Sequence, residues 1–293
     1  MSRTVVTGAG GQVGRWLVQL GEAGSASPVE AYGRAELDIA DPEAVSTVLA
    51  GIGPGDVVIN TAAYTAVDAA ESDLAGARAG NETGPRNLAE HTARTGARLI
   101  HLSTDYVFSG DPGQASGPDG YDIDDPVAPA TVYGRTKLDG ERAVAEADPW
   151  ATIVRTAWVY TGAAGGSDFV ATMRRLESER ETVSVVTDQI GSPTYAADLA
   201  AGLLELAALL RADDRPGGVL HAVGGGQTSW FDLARAVFRE IGADPGRVLP
   251  CGSADFPRPA PRPAYSVLSG RSWSAAGLTP LRGWREAVTA ALA

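Results

Sequence analysis

Thr4-Val5-Val6-Thr7-Gly8-Ala9-Gly10-Gly11-Gln12-Val13-Gly14 decides the fold, because a β-rich run passes through a glycine turn into the helical stretch Arg15-Trp16-Leu17-Val18-Gln19-Leu20. Gly8, Gly11 and Gly14 stand at Gly-x-x-Gly-x-x-Gly spacing. That spacing supplies a tight turn, a close backbone approach to a pyrophosphate and close helix packing, with the helix N-terminus aimed at phosphates. A lone glycine triplet is as often a flexible turn, so its meaning depends on the rest of the chain.

The next 120 or so residues keep the same rhythm of strand and helix. Val29–Tyr32, Val57-Val58-Ile59, Arg98-Leu99-Ile100-His101-Leu102 and Thr152-Ile153-Val154 are short β-rich runs with helical patterns between them. Near-continuous apolar strands separated by helices imply a parallel sheet covered on both faces. The expected fold class is α/β, a Rossmann-type doubly wound parallel sheet. Ligands gather beyond the carboxyl ends of such strands, where Gly8, residues 60–64 and residues 103–108 fall. After Trp158 the rhythm loosens into a loop over 162–167, a helix over 168–180, the strand Val183–Val186 and a long apolar helix over 195–211 that returns to the sheet. From residue 222, Gly224-Gly225-Gly226 and Pro257-Arg258-Pro259-Ala260-Pro261-Arg262-Pro263 mark a more irregular cap. The expected division is a dinucleotide-binding domain over 1–160, with 195–221 returning to it, and a smaller C-terminal α/β substrate-binding domain of 161–194 and 222–293.

The second run ends in Gly33-Arg34, where an NAD-binding chain places an acidic residue against the adenosine ribose hydroxyls. Arg34 suits a 2'-phosphate instead, which predicts NADPH over NADH with NADH still possible; the alternative is a solvated surface arginine. Asp38, just beyond, suits an adenine edge or a loop turn equally well.

Tyr133 and Lys137 in Thr131-Val132-Tyr133-Gly134-Arg135-Thr136-Lys137, with Ser103-Thr104-Asp105 upstream, describe carbonyl reduction. Four residues apart on a helix, phenol and ammonium share a face, and the cation is expected to pull the tyrosine pKa down toward working pH. A tyrosine so tuned hands a proton to a carbonyl oxygen. Thr104, ending a strand beside it, adds a hydroxyl as negative charge develops. Tyr133, Lys137 and Thr104 are the candidate catalytic set.

Composition agrees. A length of 293 residues at 44% hydrophobic supports a sizeable core. A formal charge of −12 without a basic run excludes a nucleic-acid surface. No apolar stretch approaches about 18 residues and no leader is evident, so the expectation is a cytoplasmic protein with no membrane partner. Cys251 is alone, and His91, His101 and His221 lack metal-ligand spacing, so no metal is expected. Arg258 and Arg262 on the stiff proline run either balance a substrate pyrophosphate or stand in solvent.

With these residues in view, the chain resembles the dTDP-4-dehydrorhamnose reductase family of extended short-chain dehydrogenases/reductases, nearly end to end. Besides the glycine turn and Tyr133 to Lys137, the landmarks are Glu36-Leu37-Asp38-Ile39, Asn60-Thr61-Ala62-Ala63-Tyr64-Thr65-Ala66-Val67-Asp68, Ser103-Thr104-Asp105-Tyr106-Val107-Phe108 and Arg155-Thr156-Ala157-Trp158-Val159-Tyr160. Asp188-Gln189-Ile190-Gly191-Ser192-Pro193-Thr194 and Thr228-Ser229-Trp230 complete the set. The resemblance implies Thr104, Tyr133 and Lys137 as the catalytic residues. It places Gly11, Gln12, Val13, Asp38, Ile39, Ala62, Ala63 and Tyr64 along the dinucleotide, with Lys137 also on the nicotinamide ribose. Thr104, Asp105 and Trp158 would face the sugar nucleotide. The reaction implied is hydride transfer from NADPH to the C4 ketone of a dTDP-linked 4-keto-6-deoxysugar, by a monomer or homodimer.

Related dehydratases carry Glu after the Thr-Asp pair, where this chain has Tyr106, so the base for elimination is missing. Gly120-Tyr121-Asp122-Ile123 departs from the Pro-Tyr-x-Glu of relatives, which puts loop contacts in doubt. Glu286 is the only carboxylate in the final turns, so the magnesium-bridged pairing of some relatives does not carry over. Two alternatives remain: reduction of a related dTDP-4-keto-6-deoxysugar in secondary metabolism, and a noncatalytic NADP-binding regulatory subunit.

Overall fold

The computed structural model of the chain describes residues 2–24, 29–163, 166–212 and 217–293. Strand and helix alternate through its first half: β1 (Thr4–Thr7), α1 (Gln12–Gly24), β2 (Val29–Tyr32), α2 (Pro42–Val48) and β3 (Val57–Asn60). Two short helices, α3 (Val67–Ala70) and α4 (Leu74–Arg78), run through a π-helical turn (Ala79–Thr83) into α5 (Gly84–Thr95). Then come β4 (Arg98–Thr104), α6 (Val132–Ala147) and β5 (Thr152–Thr156). Beyond lie β6 (Val159–Tyr160), α7 (Phe169–Glu179), β7 (Val183–Val186), β8 (Ile190–Gly191), β9 (Thr194–Tyr195), α8 (Ala196–Ala212) and β10 (Gly218–His221). The chain closes with β11 (Thr228–Ser229), α9 (Trp230–Glu240), β12 (Val248–Cys251), β13 (Tyr265–Ser266), α10 (Arg271–Ala275) and α11 (Trp284–Leu292). The expected loop over 162–167 lies partly outside the described residues.

Six strands form one sheet in the order β10-β5-β4-β3-β1-β2, every pairing parallel. Successive side chains along a strand face opposite sides, and the two faces are filled separately. Val6, Val57, Ile59 and Ile100 pack against Leu17 of α1 and Leu199, Leu203 and Leu206 of α8. Val5, Val58 and Leu99 pack against Val45, Leu88 and Val144 of α2, α5 and α6. The long apolar helix does return, and β10 after it supplies an edge strand. A third cluster of Tyr160, Val170, Val183, Val185, Phe238 and Trp284 fills the space among α7, α9, α11 and the β7-β12 pair.

Strand order reverses between β1 and β3, and the crevice beyond their carboxyl ends is the ligand position in such sheets. Glycine is required there. Gly8 has φ +72°, and a Cβ on it would stand 2.5 Å from the Ala62 nitrogen. Gly14 lies behind the turn, where a Cβ would run into the Gly8 carbonyl, so its part is to let α1 pack on the turn.

Candidate active site

β4 delivers Ser103 and Thr104 to the crevice, and a 3-10 turn (Asp105–Val107) follows at once. α6 begins beside it. Thr131 Oγ1 accepts the Gly134 N–H at 2.9 Å, and Glu71 Oε1 accepts the Val132 N–H at 2.8 Å, which fixes the first turn carrying Tyr133. A Cβ on Gly134 would run into the Tyr106 carbonyl, so only glycine lets helix and turn close to this distance.

This close approach brings the acid group together. The Thr104 hydroxyl donates to Asp105 Oδ1 at 2.9 Å, its oxygen accepts the Tyr106 N–H at 3.2 Å, and it shares a hydrogen bond with the Tyr133 phenol. Asp105 is buried, and burial pushes its carboxyl up to about 6 against the hydrogen bonds from Thr104 and Ser266. Burial likewise pushes the Tyr133 phenol up to about 12, opposed by Thr104 and reinforced by the charge of Asp105.

That direction corrects the expectation from the i,i+4 spacing. Lys137 is 2% exposed and shares the cleft with Tyr133. Its Nζ, however, donates to the Leu102 carbonyl at 2.6 Å, and burial pulls the amine down to about 8 while Glu141 opposes that fall. Desolvation of the phenol outweighs a cation held by a carbonyl. Tyr133 is therefore kept firmly protonated.

The cleft encloses about 1320 Å³ and runs from the glycine turn to the acid group. Gly8, Gly11, Gln12 and Val13 line one end, with Arg34, Asp38 and Ile39 beside them. Ala62, Ala63 and Tyr64 line the middle, and Thr104, Asp105, Tyr133, Lys137 and Trp158 the far end. Gly14 alone among the expected cofactor residues stands outside the lining. A Cβ on Gly10 would meet nothing within 4 Å, so the mouth of α1 is unobstructed. Bare helix N–H groups behind small residues fit a dinucleotide pyrophosphate.

Gly33-Arg34 read alone suggests a strand end without carboxylates, and the fold at the end of β2 differs. Carboxylates do stand there: Glu36 Oε2 folds back to accept the Gly33 N–H at 2.9 Å, and Asp38 lies 3.9 Å from Arg34. The turn curls 33–37 onto itself and returns a side chain that linear order places beyond the strand. The Arg34 side chain remains 90% exposed on the cleft wall.

Trp158 has φ +47°, the one positive value outside glycine among the described residues. Its indole stacks on Trp230 with centroids 3.5 Å apart and planes 4° off parallel, and Nε1 donates to Ser266 Oγ at 3.0 Å. A Cβ on Gly191 would collide with that indole. Trp230, a landmark without an assigned role in the sequence, is thus the platform for Trp158. Arg258 and Arg262 both line the cleft, but Arg262 is held by Asp68 through two bonds of 2.9 and 2.8 Å. Tyr106 lies edge-on to Tyr133 at 5.4 Å and 80°, and burial raises its phenol further.

Behind the acid group, Arg155 makes a two-pronged bond to Glu141 at 3.0 and 2.8 Å, and Ser103 donates to the same carboxylate. Nothing in the motif spacing marked this trio except that Glu141 stands one turn beyond Lys137. Among the described residues no cluster of His, Cys, Asp and Glu is placed to hold a metal ion, and no helix is long and apolar enough to cross a membrane.

The family model described as RmlD substrate binding domain matches residues 2–293. The chain is 56% identical over 292 residues to a dTDP-4-dehydrorhamnose reductase of Mycobacterium tuberculosis, covering 99% of this chain and 92% of that protein. It is 43% identical to a dTDP-4-keto-6-deoxy-D-glucose reductase of Streptomyces niveus, covering 99% and 96%. A crystal structure of dTDP-4-dehydrorhamnose reductase from Bacillus anthracis in complex with NADP superposes with a TM-score of 0.87 at 37% identity, covering 98% of each chain.

Proposed function

The chain belongs to the RmlD substrate binding domain family, and on that premise we infer that it is a dTDP-4-dehydrorhamnose reductase. It reduces the C4 ketone of dTDP-4-keto-6-deoxy-L-mannose to give dTDP-L-rhamnose. The observation that carries this reading is a protonated phenol, Tyr133, bonded to Thr104 at the far end of a cleft whose other end is a phosphate-binding glycine turn.

When bound, the reduced nicotinamide supplies the hydride. Gly8, Gly11, Gln12 and Val13 would hold the pyrophosphate, Arg34, Asp38 and Ile39 the adenosine end, and Ala62, Ala63, Tyr64 and Lys137 the remainder. The exposed guanidinium of Arg34 supports NADPH over NADH, since nothing in its 3.9 Å approach to Asp38 ties it down. Tyr133 gives its proton to the C4 oxygen as charge develops there, and the Thr104 hydroxyl, turning from Asp105, donates to the same oxygen. A phenol held near 12 is a poor acid toward water but a matched one toward an alkoxide. Asp105 and Trp158 would seat the sugar. Tyr106 offers no base for elimination, because its buried phenol stays neutral.

The S. niveus relative supports a second reading, in which the ketone belongs to a related dTDP-4-keto-6-deoxysugar. One assay addresses both: oxidation of NADPH, with NADH in parallel, on dTDP-4-keto sugars differing at C3 and C5. The expected result is fastest turnover on the rhamnose precursor with NADPH, and a Tyr133→Phe variant that binds NADPH normally while kcat falls by about two to four powers of ten. A preference for another keto sugar moves the substrate, and near-normal turnover by Tyr133→Phe rejects it as the acid. Binding of NADPH without turnover of any of these sugars would leave the regulatory subunit.

A further inference from the structure

A second chain of hydrogen bonds runs beneath the acid group, across three neighbouring strands. The Ala62 N–H donates to Asn60 Oδ1 at 3.0 Å, and the Thr7 hydroxyl donates to the same oxygen at 2.7 Å. A backbone N–H can only donate, so the Asn60 oxygen faces it and the amide NH2 faces β4. There Asn60 Nδ2 stands 2.9 Å from His101 Nδ1. Nδ1 must accept, and a neutral imidazole then carries its proton on Nε2. His101 is fully buried, and burial with the charge of Lys137 holds its pKa well below the ordinary value, so the ring is neutral. His101 Nε2 lies 3.5 Å from Lys137 Nζ.

We propose that His101 is a positioning residue for Lys137: held by Asn60 as the Nε2–H tautomer, it turns an N–H rather than a lone pair toward the ε-amine. An ammonium has only donors and gains nothing from a facing donor, whereas a neutral amine accepts it. The arrangement therefore disfavours the ammonium, leaves Leu102 as its acceptor inside the fold, and turns its other protons to the cleft beside Tyr133.

The groups around the amine come from several elements. Tyr133 and Glu141 stand on its own helix, His101 on β4, and Asp105 across Thr104 on the following turn. Arg155 of β5 is taken up by Glu141, Glu71 is occupied by the Val132 N–H, and Glu82 of the π-helical turn pairs with Arg78. Glu141 by its charge and the Leu102 carbonyl as acceptor favour the charged amine. The facing Nε2–H of His101, 3.5 Å away, is the group proposed to oppose them.

The role of Lys137 in turnover rests on the reductase reading, but the test of His101 does not. Lys137 is the only lysine in the sequence, so carbon-labelled lysine gives one side-chain signal, and nitrogen-labelled histidine distinguishes His101 from His91 and His221. In the unsubstituted protein the expected result is His101 with Nε2 protonated and Nδ1 bare; a proton on Nδ1 overturns the proposal. His101→Leu removes the facing N–H and keeps the surroundings apolar. The Lys137 titration, near 8 in the native chain, should then move up by about one pH unit, and the alkaline limb of kcat should follow it. A space-filling histidine predicts no shift or a fall, and either overturns the proposal. Should His101→Leu fail to fold, the tautomer in the unsubstituted protein still decides.

Discussion

Asp105 is held in the wrong charge state for a buried carboxyl at neutral pH. Its pKa is raised to about 6 in the fold, so the folded chain binds this proton more tightly than the unfolded chain does. The resulting cost is absent below about pH 4 and complete above about pH 6. Asp105→Asn should therefore stabilise the protein at pH 7.5 by about 2–3 kcal/mol and give no gain at pH 3.5, read from urea unfolding midpoints. Equal gains at both pH values would show that the carboxyl is not the source. Its place in the cleft beside Thr104 and Tyr133, at a cost to the fold, accords with the ligand-facing role proposed for it. The face shared by Tyr133 and Lys137 is legible from their spacing; the direction in which Tyr133 titrates is not, because it depends on depth and on the Leu102 carbonyl that takes up the cation. The tautomer of His101 is likewise invisible in sequence, since it is set by Asn60 and Ala62, residues of another strand and the loop after it.

α6 is the element that converts packing into chemistry. Its outer turn carries Tyr133 and Lys137, and its next turn carries Glu141, whose carboxylate is enclosed with Ser103 and Arg155. The helix can lie this close because its contact face has no side chain at Gly134 and Gly140. A Cβ at Gly140 would run into the Asn81 carbonyl of the π-helical turn. Asn81 in turn bonds the Tyr64 backbone at 2.9 and 3.1 Å and Thr136 at 3.1 Å, so the helix, the turn and the cleft-lining loop are registered on one another. Gly140→Ala should cost about 1–3 kcal/mol, whereas Gly283→Ala, whose Cβ would meet nothing within 4 Å, should leave the thermal midpoint in place. A midpoint unchanged by Gly140→Ala would mean that the helix is free to shift. The start of α6 is legible from Thr131, a residue suited to capping. The π-helical turn is not, because Asn81 is fixed by partners at Tyr64 and Thr136 that lie far from it in the chain.

Across the whole molecule, the alternation of apolar runs and helices was sufficient to read a parallel sheet, because each buried strand has to be apolar on both faces. The later half resists such reading. Its strands β6, β8, β9, β11 and β13 are two residues long and have no period to detect. Contacts between the halves escape it for the same reason: Arg258 and Arg262 are equivalent in the proline run, and only the fold brings Asp68 to Arg262 from 194 positions away. Arg262 thereby ties the loop onto α3, while Arg258 lines the cleft and reaches Asp68 only through its charge. Arg258→Ala should raise KM for the sugar nucleotide about tenfold, some 1.4 kcal/mol, with kcat nearly held. A fall in kcat at unchanged KM would place Arg258 elsewhere in the cycle. The positive side chains of this molecule are otherwise arginines, with its single lysine enclosed in the cleft. Amine-directed acylation therefore becomes a footprint of one location: apart from the α-amine, a reagent that marks the chain has entered the cleft, and protection on adding dinucleotide would report occupancy without any turnover.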